Sequence, residues 1–549
     1  MAINNNIFKE DIKLDIAISL IGGLGLFLYG MNLMGEALQK SAGNKLKKIV
    51  ELLTSNVLMG VLVGIVVTGI IQSSSATTVM VVGFVNAGIM SLSQAIGVIM
   101  GANIGTTVTA QLVSFNLEGL APVALGIGIV IYLFSSKQRN KNFAEILIGF
   151  GILFTGMEFM KDAVKPLADL PQFRDALLYF GVHPVLGILA GFLITGIVQS
   201  SSASMGMLIA LASQGLLPLS SALPILYGDN IGTCVTSLLS SIGASRNAKR
   251  AAIMHLTFNI IGTIIFMLIL NKPVIAIVTK IDPTDAARQI ANAHTLFNLL
   301  SVIILLPFSR FIVKLVMVLV PEKDNESENE SNTKYLDERM LETPSVALGN
   351  TVKEVLRMGN KASFALESSL KALVNKDSDE VDKTFATERI VNKLQKDLLN
   401  YLLKLSKSPL NDIERMKADL LFNTVNDIER VSDHADNIAE IAKDIIDSDL
   451  NLSENAINDI TDVYEKALSN FKNSLIALDT ADLDLANQVL ECEKEVNYLE
   501  KLFRKSHMDR LSENACSLDS GVFYLDLLSN LERISDHASN IAQQVLQIK

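Results

Sequence analysis

Tryptophan is missing from the 549 residues, and cysteine, histidine and proline are scarce at three, six and twelve. Cys234, Cys492 and Cys516 lack metal-ligand spacing and an even count, so a disulfide framework and a cysteine zinc site are excluded. All three read as reduced thiols. No basic block occurs, which leaves no footprint for nucleic acid. There is no nucleophile–base set, phosphate-binding glycine loop or zinc motif, so the chain does not read as an enzyme. The opening is polar and acidic (Glu10, Asp11, Asp15) and the first apolar segment has no clear small-residue cleavage site, so it is not read as a signal peptide.

The most informative absence is of charge. The 66 residues from Leu52 to Leu117 and the 53 from Ala176 to Gly228 contain no Asp, Glu, Lys or Arg. A crossing of the bilayer needs about 20 apolar residues, so each stretch has room for more than one. Residues 1–320 carry 20 basic and 14 acidic side chains, whereas residues 321–549 carry 27 and 44. The chain is therefore an apolar membrane domain over 1–320 followed by an acidic soluble domain over 345–549. A polar linker, 321–344, containing "EKDNESENESN", is expected to be flexible. The soluble part has the periodicity of long amphipathic helices and few glycines.

Membrane spans are expected at 15–34, 93–113, 119–136, 143–160, 216–241, 251–270 and 293–317. Two further apolar stretches, 57–86 and 184–213, are each interrupted midway by Gln-Ser-Ser-Ser. Four polar residues in hydrocarbon are tolerated only where protein or water covers them. Each stretch therefore reads as a re-entrant hairpin of two half-helices. If the loop at 36–51 is cytoplasmic, the inside loops hold 12 of the 20 basic residues: Lys40, Lys45, Lys47, Lys48, Lys137, Arg139, Lys141, Arg246, Lys249, Arg250, Arg310 and Lys314. That bias places the N-terminus outside, the soluble domain in the cytoplasm and the protein in the cell inner (plasma) membrane.

An internal repeat runs through the membrane domain. "GVLVGIVVTGIIQSSSATTVM" from Gly60 matches "GILAGFLITGIVQSSSASMGM" from Gly187, and "GANIGTTVT" from Gly101 matches "GDNIGTCVT" from Gly228, all at an offset of 127. "LFLYGM" at 26–31 answers "ILFTGM" at 152–157. Repeat one covers about 15–136 and repeat two about 143–317. Three crossings separate their starts, an odd number, so the second copy is inverted and the hairpins enter from opposite faces. Small residues such as Gly60, Gly64, Gly187 and Gly191 serve close helix packing, but packing does not require two Gln-Ser-Ser-Ser runs.

Hydroxyls and amides both donate and accept, and the half-helix N-termini at the hairpin tips offer free N–H groups and positive dipole ends. Such donors suit an oxyanion such as phosphate, and the freed carbonyls and hydroxyls suit Na⁺. No Lys or Arg lies in these motifs, so a divalent anion would need co-bound cations to balance its charge. Asp229 is the one carboxylate inside them, at the position of Ala102 in repeat one. It is a candidate for ligating a cation or carrying a proton, with capping of backbone N–H groups as the alternative. His255 and His294 recur in "HLTFN" and "HTLFN" and read as helix-packing residues near a membrane face.

The paired "QSSSATT"/"QSSSAS" and "GANIGTT"/"GDNIGTC" resemble the type II sodium–phosphate cotransporter family over about 15–317. The resemblance implies an all-α, inverted-repeat transporter with two re-entrant hairpins, sodium as coupling ion and inorganic phosphate as substrate. It carries substrate and sodium binding to Gln72, Ser73, Ser74, Ser75, Gln199, Ser200, Ser201 and Ser202, with Thr77, Asn103, Thr106, Asp229, Asn230 and Thr233 in the matching segments. Ser204-Met205 in place of Thr77-Thr78, and Asp229 and Cys234 in place of Ala102 and Thr107, bear on sodium stoichiometry. Phosphate efflux and a membrane-anchored phosphate-sensing adaptor are the alternative functions.

The soluble domain has its own doubled motif, "NDIERVSDHADNIAE" at 426–440 and "SNLERISDHASNIAQ" at 529–543. It resembles the PhoU family, tandem three-helix bundles with acidic metal-binding faces. The resemblance puts a divalent or iron cation at Glu388, Glu429 and Asp433, and at Glu493, Glu532 and Asp536, and allows a homo-oligomer through this domain. A solvated acidic face paired with Arg430 or Arg533 is the other reading.

Overall fold

The computed structural model describes residues 2–42, 56–115, 117–321, 333–512 and 518–547. The chain divides into two units, Met1–Asp324 and Asn325–Lys549. Among the described residues both are built from helices without strands. Lys45, Lys47, Lys48 and Cys516 lie outside the described residues.

The first unit starts with α1 (Ala2–Ala42). Hairpin one follows, made of α2 (Val57–Ile71) and α3 (Ser74–Asn86). Next come α4 (Leu92–Ser114), α5 (Ala121–Phe134) and α6 (Gln138–Val164). Then α7 (Pro171–Val182) leads into hairpin two, α8 (Pro184–Val198) and α9 (Ser201–Ser213). The unit ends with α10 (Leu219–Gly232), α11 (Cys234–Ser240), α12 (Arg246–Ile265), α13 (Asn271–Ile281), α14 (Ala286–Leu305) and α15 (Ser309–Leu319).

Among the described residues five helices are long and apolar enough to cross a bilayer, Asp15–Ala42, Leu92–Ser114, Gln138–Leu167, Arg246–Ile281 and Ala286–Leu319, with the bent pair Pro171–Val182 and Pro184–Val198 a sixth if taken as one span. They match five of the seven expected spans. The other two need correction. The segment at 119–136 is a 14-residue helix, about 21 Å long, and so shorter than a hydrocarbon core of about 30 Å. The segment at 216–241 breaks at Thr233, where the chain passes from α10 to α11. Two of the long spans also change winding on the way, with a π turn at Phe266–Leu270 and a 3-10 turn carrying Pro307 at Leu306–Phe308. An unexpected helix, α7, meets α8 at a bend of 108°.

The end contacts reveal the inversion. Together α10 and α11 span Leu219 to Ser240, about 33 Å of helix. At their start a Cβ on Gly181, just before hairpin two, would lie 2.8 Å from Ser221 Oγ. Just past their end, the Ser245 N–H donates to Asn86 Oδ1, the last residue of hairpin one, at 2.8 Å. The hairpins therefore open at opposite ends of this crossing. Other contacts tie the basic ends. Lys40 pairs with Glu145 at 3.2 Å, joining the end of α1 to the start of α6. Arg250 Nε and Arg246 Nη1 donate to the carbonyls of Val320 and Pro321 at 2.9 and 3.0 Å, beyond α15.

Within each repeat the first hairpin arm lies at backbone contact on the helix carrying Asn-Ile-Gly-Thr. A Cβ at Gly101 would fall 2.0 Å from the Val61 carbonyl oxygen, and one at Gly228 only 1.9 Å from that of Ile188. Only glycine permits that approach, and without a hydrophobic drive between helices in lipid it is such packing that holds them.

The second unit contains α16 (Pro344–Asn375), α17 (Ser378–Leu405), α18 (Asp412–Asp447), α19 (Glu454–Thr480), α20 (Leu483–Ser512) and α21 (Leu518–Gln547). The first three and the last three form two bundles, which meet along α18/α21 and α16/α19. The expected linker is too long at its C-terminal end. Residues 333–342 pack on the first bundle: the N–H groups of Lys334 and Tyr335 donate to Glu354 Oε2 at 3.1 and 2.7 Å, and Met340 is fully buried.

Replacing Gly101 or Gly228 by valine should therefore push the paired helices apart. Overpacking costs about 1–3 kcal/mol, and more when backbone must move. The expected result is a loss of monodisperse protein on size exclusion in detergent. Gly126→Ala, which meets open space, should be tolerated.

Candidate functional site

The two hairpin tips have one geometry. Gln72 ends α2 with φ 60° and ψ 22°, and Gln199 ends α8 with φ 56° and ψ 25°. A non-glycine residue in the left-handed region costs on the order of 1–3 kcal/mol, so its surroundings must hold it. Each N–H donates back to a threonine carbonyl, Thr68 or Thr195, at 2.7 Å. The next residue starts the second arm: Ser73 Oγ accepts from the Ala76 N–H at 3.1 Å, and Ser200 Oγ from the Ala203 N–H at 3.2 Å. The first serine of each triplet is thus an N-cap. The hydroxyls of Ser74, Ser75, Ser201 and Ser202 make no side-chain hydrogen bond among the described residues. Ser74, Ser201 and Ser202 are buried, and Ser75 is half-buried. They lie on the first turns of α3 and α9, where free N–H groups and the positive dipole ends collect.

The glutamines differ. Gln72 is buried; its Nε2 donates to the Gly69 carbonyl at 2.5 Å and its Oε1 accepts from Thr109 Oγ1 at 2.9 Å. Gln199 is exposed. Below the tips, Thr68 Oγ1 donates to Thr77 Oγ1 at 2.9 Å in repeat one. In repeat two the counterpart Thr195 donates to Asp229 Oδ1 instead. Asp229 is fully buried and its Oδ2 has no partner.

The remaining expected site residues separate into engaged and self-satisfied ones. Asn103 Nδ2 donates to Asn259 Oδ1 at 2.9 Å, and its Oδ1 meets His255 Nε2 at 3.2 Å. Thr106, Asn230 and Thr233 bond their own helix carbonyls, at Ala102, Leu226 and Asn230. Each second arm packs across the repeat boundary, α3 on α11 and α12, and α9 on α4; α9 also packs on α14 of its own repeat. His255 and Asn259 were missed by sequence reasoning. His255 lies about 14 Å along α12, deep in the unit rather than near a face, and its repetition with His294 was the available signal. The arrangement can ligate an anion through hydroxyls and helix N-termini, and a cation through Asp229 and hydroxyl oxygens. Arg288 is engaged away from the tips, bonding Gln111 and Ser114 at the end of α4.

In the second unit the acidic faces do not assemble a metal centre. Among the described residues no group of three Asp, Glu, His or Cys converges on a point. Asn392 and Asn497 donate to Glu388 and Glu493, while Arg430 reaches Asp433 at 3.2 Å and Glu429 at 3.8 Å, and Arg533 reaches Glu532 at 3.8 Å. As placed, Glu388, Glu429, Asp433, Glu493, Glu532 and Asp536 do not fit the expected cation. What the doubled motif does join is its other polar residues, across α18 and α21. His434 Nδ1 meets Asn530 Oδ1 at 2.8 Å, and His537 Nδ1 meets Asp427 Oδ1 at 2.9 Å, with Gln544 Nε2 on Asp427 Oδ2 at 3.0 Å.

Crowding still marks the acidic face. Burial, then the neighbouring Glu388, Glu440 and Asp433, push the Asp436 carboxyl up to about 6. Burial and Asp433 likewise raise Glu388 and Glu429, and burial and Asp536 raise Glu532. A carboxyl whose folded pKa is raised binds more protons folded than unfolded, so stability falls as pH rises through that window. The thermal midpoint of residues 333–549 should therefore increase between about pH 7.5 and about pH 5.5, and Asp436→Asn should shrink the increase. A midpoint that drops on acidification over this range would contradict the placement.

The chain matches the sequence profile of the Na+/Pi-cotransporter family over residues 26–162 and 156–302, one match per repeat, and that of the PhoU domain over 355–442 and 460–545, one per bundle. It is 24% identical over 533 residues to the protein named "Putative inorganic phosphate export protein YjbB" of Escherichia coli (strain K12), covering 96% of this chain and 97% of that one. It is 37% identical over 127 residues to "Sodium-dependent phosphate transport protein 2A" of Rattus norvegicus, covering 23% of this chain and 14% of that one. The crystal structure of PhoU from Pseudomonas aeruginosa is similar at 20% identity and a TM-score of 0.35, covering 36% of this chain and 95% of that one. On the strength of both repeats matching, the chain belongs to the Na+/Pi-cotransporter family and carries a PhoU domain behind its membrane domain.

Proposed function

We propose that this protein moves inorganic phosphate across the cell membrane together with sodium, by alternating access at the two hairpin tips. The observation that carries the reading is the pair of serine-lined helix N-termini, Ser74–Ser75 and Ser201–Ser202, with no cationic side chain in either tip motif. Helix N-termini with free hydroxyls hold an oxyanion. Without Lys or Arg in those motifs, bound sodium is the available counter-charge, and Asp229 Oδ2 is an unpartnered oxygen for it. The PhoU domain, cytoplasmic by the distribution of basic residues, would regulate this core.

A second reading, net export, is favoured by one observation: the exporter-named relative matches nearly the whole of this chain, PhoU domain included. Flux of radiolabelled phosphate in proteoliposomes, with the sodium gradient imposed each way, separates the two. Flux should follow the sodium gradient and fall to background with choline as sole cation. Undiminished flux in choline would overturn sodium coupling.

The serines give the site-level test. Losing a hydrogen bond to a charged ligand costs about 1.5–3 kcal/mol, so Ser75→Ala or Ser202→Ala should weaken apparent phosphate or sodium affinity roughly tenfold or more. Ser93→Ala, at an exposed position, is the control; Ser91 would not serve, because it forms the capping box of α4 with Gln94. Equal effects at Ser93 and Ser202 would remove the serines from the binding site.

A further inference from the structure

The repeated His-x-x-Phe-Asn turns are not explained by binding alone. Both turns lie in repeat two, on helices that pack against the second arms of the two hairpins. Hairpin one's second arm, α3, and α4 pack on α12; hairpin two's second arm, α9, and α10 pack on α14, which also packs extensively on α4. In both turns the asparagine Nδ2 donates to the histidine carbonyl, at 3.2 Å in α12 and 3.0 Å in α14. The phenylalanines between, Phe258 and Phe297, are both 1% exposed.

The polar ends of the two turns differ. In α12 every end is engaged: Asn259 Oδ1 accepts from Asn103 at 2.9 Å, His255 Nε2 meets Asn103 Oδ1 at 3.2 Å, and His255 Nδ1 meets Ser237 Oγ at 3.3 Å. In α14, His294 Nδ1, Asn298 Oδ1 and Ser301 Oγ are buried with no partner. Asn230, the repeat counterpart of Asn103, directs its amide to the Leu226 carbonyl. Buried polar atoms left unpaired are unfavourable, and three on one helix face, at i, i+4 and i+7, form a donor–acceptor row without its complement. The hairpins show the same asymmetry, with Gln72 buried and tied to Thr109 while Gln199 is exposed.

We propose that His255–Asn259 and His294–Asn298 are the two halves of an alternating latch. The first, closed on Asn103, seals the face at which hairpin one opens. The second is open and closes on Asn230 when hairpin two seals, as the first lets go. These are positioning residues, acting through Asn103 and Asn230, and the proposal rests on the alternating-access reading above.

The test measures sidedness in the full chain. A single reporter, Ser201→Cys, is placed in a Cys234→Ser, Cys492→Ser, Cys516→Ser background; serine at 234 keeps an acceptor for Asn259 Nδ2, which lies 3.2 Å from Cys234 Sγ. Labelling by an impermeant maleimide is compared in right-side-out and inverted vesicles. Asn298→Ala should raise the ratio of labelling from the hairpin-two face to that from the other face, and Asn259→Ala should lower it, each by about fivefold or more for one lost hydrogen bond. The double variant should return toward the parent ratio. Asn259→Leu and Asn298→Leu, which fill a similar volume without a hydrogen-bonding group, are read in the same way if an alanine variant does not fold. Shifts in one direction for both halves, or no shift in folded variants, overturn the latch. The alternating-access reading is judged separately, by whether sodium plus phosphate protects the reporter in the otherwise unaltered chain.

Discussion

A helix broken inside hydrocarbon exposes N–H and C=O groups that water cannot reach, and every feature of the membrane unit answers to that constraint. The breaks at Gln72 and Gln199 are survivable because the left-handed turn keeps one backbone bond to Thr68 or Thr195, and because Ser73 and Ser200 cap the next helix. The first turns of α3 and α9 are then left with N–H groups aimed at a common kind of ligand. Cover for the breaks comes from the other repeat, since each second arm packs across the boundary. The glycine contacts of α2 with α4 and of α8 with α10 follow from the same need: a half-helix has too little surface to be held at ordinary packing distance.

Much of this was legible in the sequence because the constraint acts on composition. Charge-free stretches mark the membrane unit, and four polar residues in the middle of one can only be a tip. The offset of 127 repeats the tip, the glycines and the asparagine together, but the count of crossings that pointed to inversion included 119–136, which is too short to cross; the inversion itself rests on the end contacts of Gly181 with Ser221 and of Ser245 with Asn86. Length was harder to read. The segment at 119–136 carries no charge, yet its α-helix runs only from Ala121 to Phe134 and ends at Ser135. His255 was misplaced for a different reason: a polar residue in an apolar run can face a headgroup or a buried partner, and only the packing of α12 on α4 decides for Asn103.

The acidic motif of the PhoU domain shows what a spacing argument omits. Glu429 and Asp433 share a helix face, as their four-residue spacing requires, but ligation needs convergence from several helices, and Arg430 and Asn392 already meet these carboxylates and Glu388. The conspicuous acids drew attention from the less conspicuous residues of the same motif. Asp427 and Asn530 occupy equivalent positions in the two copies, and each receives the histidine of the other copy. The motif is doubled because the two bundles meet through it.

Between the membrane repeats the chemistry is equivalent in plan and unequal in detail. Thr68 and Thr195 sit at the same place, one turn before the break, but Thr68 finds Thr77 and Thr195 finds Asp229. A carboxylate replaces a methyl group at the corresponding position of repeat two, so the two repeats differ there by one ionisable group. Burying an ionised carboxylate is costly unless a cation or proton accompanies it. The substitution of Asp229 for Ala102 is the place where two otherwise matching repeats differ in the charge they can hold.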